Sequence, residues 1–172
     1  MRSVKWVVSP LYYMGRSAEN PRCVVFDLDG VLFDNTRRKE AYQSDICNKI
    51  SNADQCYEDG IYFAYDSVIR DAPNIVNSCS SNHQIIYLTG RRETSRAETI
   101  KSLSAHGFPK GILYLKPRKK DDTQEYKRRV LTTLVSKYDV VAYYDDDTAN
   151  TEIGDSLGIP SYQELPGGVI NE

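Results

Sequence analysis

Four short, nearly continuous apolar runs recur along the chain, at Cys23–Phe26, Gln84–Leu88, Gly111–Leu115 and Val140–Tyr144. Runs this short and this uniformly apolar suit strands buried on both faces. The segments between them have helical spacing instead. Thr94–Ala105 sets Ala97, Ile100, Leu103 and Ser104 on one side and meets the stop signal Gly107. Thr123–Lys137 carries Tyr126, Val130, Leu134 and Val135 along one stripe, and Asp147–Leu157 runs into Gly158-Ile159-Pro160. Strand–helix alternation of this kind predicts an α/β fold whose mostly parallel sheet is covered by helices. In such sheets the ligand site lies at the carboxyl ends of the strands.

Residues 35–80 break the rhythm. Thr36–Ile50 and Ala64–Ser78 both read as helices, joined by the turn-prone Ser51–Gly60. Either they form a small helical cap inserted after the first strand, or they are a long first crossover. Residues 1–20 read as an added edge strand or an arm, which leaves 21–172 as the main domain.

Composition sets wider bounds. A chain of 172 residues fits one domain. At 40% apolar and 27% charged it has the make-up of a soluble globular protein. The net charge of −2 gives no global attraction to nucleic acid or to an anionic membrane, so such a partner would need a local patch. Cys23, Cys47, Cys56 and Cys79 lack C-x-x-C spacing and, with His83 and His106, make no zinc pattern. Free thiols in a reducing compartment follow. The apolar stretch near Trp6 is interrupted by Lys5 and Pro10, too short for a membrane span. The expected location is cytoplasmic.

The strand ends change the picture. The first run delivers Asp27-Leu28-Asp29-Gly30, two carboxylates that alternation would bring together. Converging carboxylates repel unless a cation, a proton or a basic side chain compensates them. The second run ends in Thr89-Gly90-Arg91, a hydroxyl, exposed backbone N–H groups and a guanidinium suited to an oxyanion. The fourth ends in Asp145-Asp146-Asp147, and Lys127 on the preceding helix offers a point positive charge. Alone, each piece has an ordinary reading as a surface loop, helix start, cap or solvated lysine. Their order along the chain is what points to a site.

That order resembles the haloacid dehalogenase (HAD) superfamily of phosphohydrolases over residues 22–162. The first motif is Asp27-Leu28-Asp29-Gly30-Val31, the second Thr89, the third Lys127 and the fourth Asp145-Asp146. Within the superfamily the chain is most similar to the 3′-phosphatase domain of phage-type polynucleotide kinases, through Thr89-Gly90-Arg91 and the short cap. It departs where Asp147 stands in the usual Arg position. No G-x-x-x-x-G-K-[ST] loop is present in this sequence.

The resemblance implies a Rossmann-like three-layer α/β/α sandwich and a phosphatase acting through an aspartyl-phosphate intermediate. Asp27 would be the nucleophile and Asp29 the acid and base. Thr89 and Gly90 would hold the phosphoryl group, with Arg91 and Arg118 as substrate contacts. Mg²⁺ suits hard oxygen ligands, here Asp27, the backbone carbonyl of Asp29, and Asp146, with Asp145 in support. The register among Asp145, Asp146 and Asp147 stays open by one. Lys127 would neutralise Asp27 and the transferring group.

Expected partners are a phosphomonoester substrate, with nucleic-acid 3′ ends or nucleotides as candidates, and a separate kinase or ligase chain. The basic run Lys116, Arg118, Lys119 and Lys120 could track a nucleic-acid backbone, or be a solvated loop balanced by Asp121 and Asp122. Two other function classes remain open at this point: a non-catalytic nucleic-acid-end binding module, and a phosphotransferase or mutase.

Overall fold

The residues Cys23–Phe26 are buried on both sides, and the strand they form, β1 (Arg22–Phe26), lies at the centre of the sheet. The computed structural model describes residues 20–47 and 60–166. After β1 come β2 (Phe33–Asp34), α1 (Thr36–Cys47), a 3₁₀ turn at Gly60–Tyr65 and β3 (Ser67–Val68). Then follow α2 (Ala72–Ser80), β4 (Gln84–Arg92), a second 3₁₀ turn at Glu93–Ser95 and α3 (Arg96–Ala105). The chain continues as β5 (Ile112–Lys116), α4 (Thr123–Lys137), β6 (Asp139–Tyr144), α5 (Thr148–Ser156) and β7 (Ser161–Tyr162).

The five-stranded sheet is parallel throughout, in the order β5-β4-β1-β6-β7. From β1 the chain builds outward to β4 and β5, then crosses to β6 and β7 on the other side. The strand order therefore reverses at β1, the place where open α/β sheets form a crevice at the strand carboxyl ends. Alternation along β1 sends Val24 and Phe26 into one core with Ala72 and Val76 of α2 and Leu103 of α3. Cys23 and Val25 enter the other core with Val130, Leu131 and Leu134 of α4 and Ile153 of α5. Two helical layers thus enclose the sheet, giving the expected three-layer α/β/α architecture.

A bulge in β6 matters for the site. Cys23 pairs with Val140 but Val24 pairs with Ala142, so Val141 is an extra residue. Val140 and Tyr143 consequently face the same core, and the alternation arriving at Asp145 is set by the bulge.

Residues 35–66 leave and return through a narrow antiparallel neck, in which Phe33 pairs with Val68 and Asp34 with Ser67. The continuous helix expected over Ala64–Ser78 does not form. Pro73 is tolerated only in a first helical turn, so the helix starts at Ala72, after Asp71 in a left-handed conformation (φ 64°). The 3₁₀ turn and β3 occupy the remainder. β4 runs four residues past Leu88, and Thr94 belongs to a 3₁₀ turn before α3. The expected arm at residues 1–20, apart from Asn20, and most of the turn at Ser51–Gly60 lie outside the described residues. So does the end of the helix expected to reach Ile50. Cys23 and Cys79 are free thiols. Among the described residues no helix is long and apolar enough to cross a membrane.

Candidate active site

Asp27 extends β1 by one residue, its N–H bonded to the Tyr144 carbonyl at 2.8 Å, which fixes the nucleophile candidate to β6. The next strand end supplies Asp145, wholly buried. It accepts from Lys127 Nζ at 2.5 Å, Asn150 Nδ2 at 3.0 Å, the Asp147 N–H at 3.2 Å and the Tyr143 hydroxyl. Lys127 reaches inward from α4, whose start is set by Asp122 accepting from the Glu125 N–H. Its ammonium also stands 3.2 Å from Asp27 Oδ1 as an ion pair, and that oxygen has no hydrogen-bond partner.

Asp27, Asp145 and Asp146 each offer an oxygen within 4.8 Å of the other two. Asp146 packs on the tight turn after β1. A Cβ at Gly30 would fall 2.1 Å from Asp146 Oδ2, and Gly30 has φ +87°, so glycine is required there twice over. Asp147 is instead the N-cap of α5, its side chain accepting from the Ala149 N–H at 2.9 Å.

The electrostatics follow from burial. Desolvation raises the Asp27 carboxyl above its ordinary range; Lys127 opposes this, while Asp145 and Asp29 add to it. Burial alone would lower the Lys127 ammonium, but Asp27 and Asp145 outweigh it and hold the cation charged. Partial burial and Asp145 raise Asp146 as well. Asp27 and Asp145, both paired to one ammonium, and Asp146 within reach of their oxygens form a hard-oxygen set that fits a divalent cation. Such a cation, when bound, would neutralise the carboxylates and polarise a phosphoryl oxygen.

Asp29 goes elsewhere. Alternation would bring it beside Asp27, but the pairing with β6 ends at Asp27, and the Leu28 carbonyl accepts from both Leu32 and Phe33 N–H in a tight turn. The Asp29 carboxylate meets Arg91, with Nη2 at 2.6 Å and Nε at 3.1 Å, and also Arg38. Both guanidiniums continue to Asp66, Arg38 Nε at 2.8 Å and Arg91 Nη2 at 2.9 Å. Burial pushes Asp29 upward, but Arg91 and then Arg38 outweigh it and hold the carboxyl at about 2. In Asp66 burial prevails and raises the carboxyl despite the same two arginines. The two arginines thus favour the carboxylate form of Asp29.

Thr89 is buried in β4 three residues before its end, its Oγ1 accepting from the Arg91 N–H at 3.2 Å. Pairing with β5 shifts between Thr89 and Arg92, so Gly90 and Arg91 sit in an irregularity that turns Arg91 inward. Arg118 does not join this assembly. It lies on an exposed turn, paired with Asp121 at 2.9 Å. The basic run also divides, for Lys116 is buried and donates to Thr123 Oγ1 at 3.0 Å.

Four residues of the assembly escape sequence reasoning: Arg38, Asp66, Tyr143 and Asn150. Arg38 lies between Arg37 and Lys39, both exposed, with no local signal to separate them. Asp66 sits in an irregular segment. Tyr143 carries a weak signal, two residues before Asp145 on an alternating strand. So does Asn150, in the first turn of a helix that begins beside the acidic cluster.

The sequence matches the family described as HAD superfamily, subfamily IIIB (acid phosphatase), over residues 2–157. Among curated proteins no significant match is found. Several solved structures share the fold. A chain in the structure of a Pnkp1/Rnl/Hen1 complex is 18% identical, with TM-score 0.68 over 95% of this chain and 52% of that one. The chain thus spans about half the length of that relative. A class C acid phosphatase from Bacillus anthracis with tungstate bound is 21% identical, with TM-score 0.55 over 81% and 63% of the two chains. A HAD-superfamily hydrolase from Geobacter sulfurreducens is 13% identical, with TM-score 0.58 over 85% and 89%.

Proposed function

The chain belongs to the HAD superfamily, subfamily IIIB (acid phosphatase), and from this membership we propose a Mg²⁺-dependent phosphomonoesterase working through an aspartyl-phosphate on Asp27. The observation that carries the reading is the cluster of Asp27, Asp145 and Asp146 at the ends of β1 and β6, the first two paired with the buried Lys127 ammonium. Asp27, Asp145 and Asp146 are the residues that would hold the cation. The Asp29 side chain, committed to its arginines, would leave only its backbone carbonyl for that task.

In the first half-reaction an Asp27 oxygen forms a bond to phosphorus as the bond to the ester oxygen breaks, and that oxygen departs with the electron pair. Lys127 neutralises the charge that gathers on Asp27 and on the transferring group. Thr89 and the Gly90 N–H face the phosphoryl oxygens. In the second half, Asp29 as a carboxylate removes a proton from water, which attacks phosphorus and frees Asp27. In the first half-reaction the same group, protonated, gives its proton to the departing oxygen. Residues 35–66 act as a small cap, entering and leaving by the β2–β3 neck.

For the substrate we favour phosphorylated nucleic-acid 3′ ends or nucleotides, supported by the likeness to a chain of the Pnkp1/Rnl/Hen1 complex. A separate kinase or ligase chain is the partner class that goes with this substrate. Neither Lys116, buried, nor Arg118, paired with Asp121, argues for a continuous basic track. The test is phosphate release from a 3′-phosphorylated oligonucleotide, nucleoside monophosphates and an aryl phosphate in parallel. Fastest release from the oligonucleotide is expected; release from the small esters alone would remove the nucleic-acid reading and keep the phosphatase.

A further inference from the structure

Two arginines and two carboxylates form a closed buried ring beside the acidic cluster. The side chains of Arg38, Arg91 and Asp66 have no exposure at all, while Asp29 retains 16%. Asp29 is the only member that reaches open space, and it is the group assigned to proton transfer. Asp66 occupies the far side of the ring, at the neck where residues 35–66 rejoin the main domain.

Each guanidinium is held in two directions. Its edge meets Asp66, through Arg38 Nε at 2.8 Å and Arg91 Nη2 at 2.9 Å. Its face meets an aromatic ring, Phe63 lying 5.0 Å from Arg38 and 4.0 Å from Arg91, with Phe33 at 5.1 Å from Arg91. A planar group fixed by one ring face and one carboxylate has little rotational freedom left. Arg38 Nη2, Arg91 Nε and Arg91 Nη2 then meet Asp29. Arg91 Nη1 has no hydrogen-bond partner, so the ring also contains one buried donor still to be used.

The four formal charges balance. Removing Asp66 takes one of the two carboxylates from this ring and leaves both buried guanidiniums in it. Both guanidiniums would then turn further onto Asp29 or away from it, and the geometry at the acid–base group would be lost.

We propose that Asp66 is a positioning residue for the hydrolysis, holding Arg38 and Arg91 in the orientation that sets Asp29 against the reacting phosphate. The proposal rests on the reading of Asp29 as the proton-transfer group. It makes the insertion a working part of the active site, because Asp66, Arg38 and Phe63 all come from residues 35–66.

The test compares Asp66→Asn, Arg38→Gln and the charge-balanced double variant, assayed with Mg²⁺ on an aryl phosphate and the 3′-phosphorylated oligonucleotide. Misplacing the acid–base group should lower kcat of Asp66→Asn by ~10-fold or more, with KM changed by less than about threefold. The double variant should lose less than the product of the two single losses, since Asp66 acts in part through Arg38. A folded Asp66→Asn enzyme with kcat within about twofold of wild type overturns the proposal. Losses that multiply in the double variant also overturn it, because Asp66 would then act without Arg38. Should Asp66→Asn not fold, Asp66→Glu, which keeps the charge and displaces the arginine contacts, carries the test, a kcat within about twofold of wild type being the contrary result. Asp27→Asn and Asp29→Asn run beside them: retained activity in either means that the reading of the site has failed, whatever Asp66 does.

Discussion

Lys127 is bonded to Asp145 at 2.5 Å and stands farther, at 3.2 Å, from Asp27. Asp145 has three further donors in Tyr143, Asn150 and the Asp147 N–H, so it acts as the anchor that places the ammonium. Asp27 keeps a looser contact with the ammonium. Lys127→Met removes the only cation among these side chains and strands two buried carboxylates. It should lower kcat by roughly 10²–10³-fold. Folding stability should fall by on the order of 3–5 kcal/mol. Steady-state phosphate release and urea melts read the two effects separately.

The raised Asp27 carboxyl carries a pH signature. Burial, with Asp145 and Asp29, makes the folded protein hold this proton more tightly than the unfolded chain, whose value is near 3.8. Between the unfolded value and the higher folded one, the folded state binds more protons, so metal-free stability declines as pH rises. A divalent cation displaces the proton and removes that loss. The gain in Tm on adding Mg²⁺ should therefore grow from about pH 6 to about pH 8. Asp27→Asn should flatten the dependence. A gain equal at both pH values would count against a cation at this carboxylate.

Gly30 sits beneath Asp146 with φ +87° and no room for a Cβ. Gly30→Ala combines backbone strain with a collision against Asp146. It should cost about 1–3 kcal/mol of stability. It should also move the Mg²⁺ activation midpoint upward, because the side chain that must shift is a proposed ligand. Thermal melts and Mg²⁺ titrations of activity check both.

Asp146 and Asp147 are adjacent and have different tasks. Asp147→Ala removes the cap of α5 and should cost about 1 kcal/mol, with the Mg²⁺ activation midpoint unchanged. Asp146→Asn should raise that midpoint by roughly tenfold or more while leaving the melt nearly intact. The reverse pattern would move the metal ligand to Asp147.

The sequence carried the fold through the continuous apolar run of β1 and the stripe of α4, features decided by local patterning. It also placed Asp27 and Asp145 at strand ends, since strand position needs only periodicity. It was silent on the partners of Asp29. The alternation that relates Asp29 to Asp27 holds only while the chain is extended, and the chain turns after Asp27. Arg38 and Asp66 reach Asp29 from an insertion whose path depends on tertiary contacts with Phe33 and Phe63. The helix expected over Ala64–Ser78 failed for a local reason: the apolar spacing was read across Pro73, where the backbone rule should have prevailed. Arg118 was drawn into the site by its charge alone, and charge does not tell a turn-bound arginine from a ligand contact.

The central claim is that Asp27 performs metal-dependent phosphate release. The most direct measurement is phosphate release from an aryl phosphate by wild type and Asp27→Asn, each with Mg²⁺ and with EDTA. The account predicts turnover in wild type with Mg²⁺, its loss with EDTA, and none above background in Asp27→Asn under either condition. Turnover by Asp27→Asn at the wild-type rate, or turnover undiminished by EDTA, would contradict it.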